Sequence, residues 1–107
     1  MADEGKFGHV IDTARAEREY LRWVILLSLW HARPYGTTEA VILGACRDIP
    51  VRATTDEVRR ELVSLAKRGL VTVEQQALWS AELTAAGEAV VDYRAEAPID
   101  IARPRRH

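Results

Sequence analysis

Residues 56–91 read DEVRRELVSLAKRGLVTVEQQALWSAELTAAGEAVV, and the change of period inside this stretch decides the fold. Val58, Leu62, Leu65 and Ala66 recur at helical spacing and define one apolar stripe. Just upstream, Thr54 and Glu57 stand three apart. That spacing lets each side chain bond the other's free backbone N–H, so the helix starts there. Gly69 falls where a helix ends in a left-handed residue, a conformation glycine adopts without a Cβ clash. After it the period drops to two. Val71-Thr72-Val73-Glu74 alternates as a strand, Gln75-Gln76-Ala77 is a turn, and Leu78 to Leu83 is a second strand with Trp79, Ala81 and Leu83 on one side. Thr84 caps a last helix running to about Tyr93, with Ala85, Ala89 and Val90 inward. Gly87 costs that helix stability but permits a close approach to a neighbouring backbone.

Working back towards the N-terminus, a second helix starts at Thr37 or Thr38 and runs to about Asp48. Val41, Ile42, Ala45, Cys46 and Ile49 mark its buried side, and Pro50 closes it. A first helix is expected from about Asp12 to Ala32, capped by Asp12 or Thr13 and stopped by Arg33-Pro34-Tyr35-Gly36. Nine of the eleven residues from Tyr20 to Trp30 are apolar, so its apolar surface exceeds one stripe. Trp23, Leu27 and Trp30 share one face; Leu21, Ile25 and Leu29 share another. Two readings stand: the helix is buried in its own domain, or Trp23, Leu27 and Trp30 form a homodimer contact. Residues 1–11 read as an extended or frayed arm and residues 95–107 as an irregular, basic, proline-containing tail. The domain is then 12–94. The predicted class is mainly α with a small β-hairpin, an α+β winged helix-turn-helix: a three-helix core, a hairpin wing and a C-terminal helix.

Composition agrees with one folded domain. The 107 residues are 48% hydrophobic and 29% charged, too apolar for a disordered chain. Cys46 is the only cysteine, which excludes an internal disulfide and any cysteine-based zinc site. The start MADEGKFGHV is acidic and has no apolar signal core, so a cytoplasmic setting is expected, with no membrane partner. His9, His31 and His107 do not share a helical face, and neither a glycine-rich phosphate loop nor a nucleophile elbow is present. The adjacent carboxylates, Asp56 with Glu57 and Glu17 near Glu19, read as helix-start or surface charge. An enzyme, a metal site and a cofactor are therefore not expected.

The net charge of −1 conceals a segregation. Residues 52–70 hold five basic and three acidic groups, whereas residues 71–93 hold four acidic and no basic ones. The third helix can present Arg59, Arg60, Ser64, Lys67 and Arg68 outward. Arginine pairs with guanine edges, and either cation neutralises phosphate. Arg52, Arg103, Arg105 and Arg106 extend the candidate contacts to double-stranded DNA. Against this stand Asp56 and Glu57 at the helix start, Glu61 among the arginines, and a turn with no basic residue. Weak surface ion pairs of Arg59 and Arg60 with Asp56 and Glu57 are the plainer alternative.

Residues 56–91 resemble the core of bacterial winged-helix regulators of the MarR, ArsR and PadR type. The matching pieces are Arg68-Gly69-Leu70-Val71 and Leu83-Thr84-Ala85-Ala86-Gly87. Over roughly residues 18–104 the chain also looks like small winged-helix proteins of Mu-like bacteriophages and prophages, through its Ile101-Ala102-Arg103-Pro104 ending. These resemblances imply a DNA-binding regulator, and the broad apolar surface of the first helix adds the expectation of a homodimer. The hairpin departs from the pattern, since relatives that use it on DNA commonly place a basic residue there. A protein–protein adapter that binds no DNA is the rival reading.

Overall fold

The computed structural model describes residues 2–49 and 51–106, and the side chains of residues 13–49 and 51–106. The fold is α+β: four helices, α1 (Ala2–His31), α2 (Glu39–Asp48), α3 (Thr55–Lys67) and α4 (Ala85–Val91), with strands β1 (Thr37–Thr38), β2 (Val71–Glu74) and β3 (Ser80–Leu83). The strands form one antiparallel sheet in the order β1-β3-β2. Val71 faces Leu83 and Glu74 faces Ser80 across the hairpin, while Thr37 faces Ala81 on the other side of β3. No helix among the described residues is long and apolar enough to cross a membrane.

The caps predicted for α3 form as drawn. Thr54 accepts a hydrogen bond from the Glu57 N–H, and the Glu57 carboxylate accepts one from the Thr54 N–H. At the other end Gly69 has φ +74°, its N–H donates to Ala66 and the Leu70 N–H donates to Leu65. Those two bonds satisfy carbonyls the helix would otherwise leave open. Gly87 is also explained: a Cβ there would lie 2.1 Å from the Leu70 carbonyl oxygen. α4 therefore packs directly on the backbone that leads into β2.

The core is built around α1, which touches α2, α3, α4 and β3. Leu21, Trp23, Val24, Ile25, Leu26 and Leu29 are buried, joined by Ile42, Cys46, Val58, Leu62, Leu65, Val90 and Val91. The broad apolar surface of α1 is thus largely covered by its own chain.

Several expectations need correction. The segment 2–11, expected as an arm, continues α1. Val41 is 58% exposed rather than on the inner side of α2, because the short β1 strand fixes the helix so that Ile42 and Cys46 point in. Ala85 is exposed as well, and Val91 replaces it in the core. β3 begins at Ser80, two residues later than expected. β1 was not foreseen. Pro50, expected to close α2, and His107 lie outside the described residues.

The tail departs furthest from expectation. Ile101 is 4% exposed and belongs to the core. The Ala102 N–H donates to the Glu19 carbonyl of α1, and the Tyr93 hydroxyl donates to the Pro104 carbonyl. The segment up to Pro104 is irregular in backbone but fastened to the domain.

Candidate nucleic-acid interface

The basic residues singled out above divide into two groups, and tertiary contacts decide which group each joins. Arg59 lies on the side of α3 that faces α2 and the hairpin. Its guanidinium donates to both oxygens of Glu39, with Nη2 to Oε1 at 2.6 Å and Nε to Oε2 at 2.8 Å. Glu39 is only 4% exposed and also accepts the Trp79 N–H at 3.2 Å. The Arg59 guanidinium lies over the Trp79 ring, 4.9 Å from its centre. One carboxylate thus ties the start of α2 to α3 and to the entrance of β3. Fork-like arginine–carboxylate pairs of this kind fix geometry as well as adding energy.

Arg68, at the end of α3, is likewise engaged. Its two terminal nitrogens reach the two oxygens of Asp100 at 2.6 Å each. Asp100 also takes Arg22, which donates to its carbonyl at 2.9 Å and to Glu61 at 2.7 Å. Glu61 is 5% exposed. It does not dilute the outer charge of α3, because it points towards α1. Arg103 donates to the carbonyls of Val90 and Ala95, both at 2.8 Å, and stacks on Tyr93. Its charge closes the tail rather than facing outward. Buried polar side-chain atoms among the described residues all have partners.

What remains on the outer side of α3 is Arg60, Ser64 and Lys67. Spacings of four and seven residues put them on one face. Arg60 and Lys67 are exposed and Ser64 is half-buried. Neither cation makes an ion pair with a described residue, so the alternative pairing of Arg60 with Asp56 or Glu57 does not form. Arg52, in the segment leading into α3, is exposed and unpaired in the same sense. Arg105 is exposed too, and Arg106 lies loosely over Tyr93, 5.6 Å from the ring centre. The hairpin turn, Glu74 to Leu78, is exposed and offers only Gln75 and Gln76 as side-chain donors.

Trp23, 6% exposed, is enclosed by its own chain, which weighs against a role in a dimer contact. Leu27 and Trp30 are half-buried and packed on the core; Arg33 covers the Trp30 ring. Among the described residues no group of histidine, cysteine and carboxylate side chains is arranged to hold a metal ion.

The electrostatics of the two locks have a pH signature. Hydrogen bonding from Arg59 holds the Glu39 carboxyl below the usual range, against the opposing effect of burial and with help from the Trp79 N–H. Arg68 does the same for Asp100, again against burial, and Arg22 adds to it. Both groups bind protons less readily folded than unfolded. The unfolded chain therefore takes up more protons near the ordinary carboxylate pKa values of about 4, and stability there rises with pH. The contribution is complete above that range and is lost as pH falls through the lower folded values. The urea midpoint is expected to be flat between about pH 7 and 5.5 and to fall below about pH 4.5. A Glu39→Gln variant should show a shallower acid decline; an equal decline would mean that Glu39 does not contribute.

The partners that neutralise Arg59 and Arg68 escaped sequence reasoning because they lie 20 and 32 residues away. A glutamate in the first turn of α2 reads as a helix-start charge, and an aspartate in a proline-containing tail reads as solvated. Comparisons with protein-family models, curated proteins and solved structures return no match for this chain.

Proposed function

We propose that the protein is a winged-helix DNA-binding protein that lays the outer face of α3 in the major groove of a duplex. The observation that carries this reading is the basic stripe of Arg60 and Lys67, which make no ion pair with a described residue, with Ser64 between them and Arg52 at its head, while the carboxylates Glu39, Glu61 and Asp100 are occupied by internal arginines. The element order supports it: two successive helices, α2 and α3, followed by a hairpin and a final helix, match a helix-turn-helix with a wing. In this reading Arg60 and Lys67 contact base edges or phosphates and Ser64 contacts either. Arg59 and Arg68 set the position of α3. The hairpin contributes at most Gln75 and Gln76 to phosphate oxygens.

A homodimeric regulator, the reading suggested by the broad apolar surface of α1, would pair copies through the partly exposed Leu27 and Trp30. Its two α3 helices would then meet half-sites about one helical turn apart. The alternative, an adapter that binds protein and no DNA, draws on the acidic hairpin and its half-exposed Leu78.

The deciding experiment is fluorescence anisotropy of a labelled mixed-sequence duplex titrated at low and moderate salt. Binding that weakens steeply with salt is the expected result, since each neutralised phosphate adds about 0.9 to the log–log slope. No binding at low salt would sink the DNA reading and leave the adapter.

A further inference from the structure

Three of the cations that make no ion pair with a described residue lie together. Arg18 of α1, Arg52 of the α2–α3 connection and Arg60 of α3 line one surface hollow of about 190 Å³, with Ala14, Glu17, Leu21 and Glu57. Elsewhere in the domain Arg22 and Arg68 meet around a carboxylate, Asp100, and Arg59 is held by Glu39. Here three arginine residues line the same space, and none makes an ion pair with a described residue. The two carboxylates present do not cancel them. Glu57 is taken by the capping box, accepting from the Thr54 N–H at 3.3 Å and from its hydroxyl at 3.1 Å. Those neutral donors leave Glu57 charged, so with Glu17 the hollow holds three positive and two negative side chains and keeps a positive excess. Like charges held together repel one another, and a doubly accepting anion between them relieves that repulsion.

We infer that this hollow is a clamp for one backbone phosphodiester of a bound duplex, with α1 supplying Arg18 as a phosphate contact. The inference rests on the DNA reading and extends it. Arg60 belongs both to the hollow and to the outer stripe of α3, so a strand whose bases meet Arg60 and Lys67 passes its backbone over the head of α3. Arg52 and Arg18 flank that point. The three arginines register α3 along the groove; such contacts fix position and carry no base preference of their own.

The test is the salt dependence of duplex binding for the wild-type chain, Arg18→Gln, Arg18→Lys and, as a charge-matched control away from the hollow, Arg94→Gln. Arg18 is exposed, so the fold should be untouched; circular dichroism checks this. Arg18→Gln should lower the log–log slope by about 0.9, so that between 50 and 200 mM salt it loses about 3.5-fold less affinity than wild type. Its ranking of different duplex sequences should not change. Arg18→Lys should restore the slope, and Arg94→Gln should keep it. A wild-type slope for Arg18→Gln, in a protein that does bind duplex, overturns the clamp and leaves the DNA reading standing. Equal slope losses for Arg18→Gln and Arg94→Gln would show a general charge effect and also overturn it. Failure of the wild-type chain to bind duplex at low salt overturns both.

Discussion

Replacing Arg60 and Lys67 together by alanine is expected to weaken duplex binding by roughly 100-fold, since a good arginine or lysine contact to a base edge discriminates by a factor of ten or more. The two positions lie two helical turns apart on α3, so their losses should nearly add. Neither side chain makes an ion pair with a described residue, and both are exposed. The melting temperature should therefore shift by no more than about 2 °C, the range of ordinary surface substitutions. This combination separates interface from scaffold: affinity falls and stability does not. Arg59→Ala should give the opposite pattern, because its guanidinium is spent on Glu39. If the double variant binds as wild type does, the outer face of α3 is not the contact surface.

The second large effect falls on stability. Glu39→Ala removes the acceptor that Arg59 and the Trp79 N–H share. Arg59 is partly exposed and can turn to water, but the Trp79 N–H at the β3 entrance loses its side-chain acceptor. An unmade hydrogen bond in a buried setting costs more than a made one contributes. For a domain of this size the melting temperature is expected to fall by roughly 10 °C, read by circular dichroism or calorimetry. Glu39→Gln keeps the size of the side chain and one carbonyl acceptor, so it should lose about half as much. An unchanged melting temperature for Glu39→Ala would show that the α2–α3–hairpin tie does not hold the fold together.

These two predictions differ because α3 has two kinds of arginine, and the local sequence does not distinguish them. Arg59 and Arg60 are neighbours with the same chemistry. A rotation of 100° about the helix axis separates them. One meets a buried carboxylate and an indole ring; the other faces solvent beside Arg18 and Arg52.

The sequence by itself determined what depends on near neighbours. The start of α3 follows from Thr54 and Glu57, and its end from Gly69. The hairpin follows from the alternation in Val71–Glu74, and the cap of α4 from Thr84. All of these rest on contacts within a few residues, where spacing alone sets geometry. The close packing of Gly87 was also foreseeable, since glycine inside a helix is disfavoured unless a neighbour needs the space. The tertiary structure decided the rest. A two-residue strand such as Thr37–Thr38 has no period to detect and exists only because β3 offers an open edge. The tail is held because Ile101 finds a gap in the core and Asp100 finds Arg22 and Arg68. Which cations remain free to meet a phosphate depends on where Glu39, Glu61 and Asp100 come to lie. Those partners are 20 to 78 residues distant along the chain, and only the packing of α1, α2 and the tail around α3 brings them within hydrogen-bond reach.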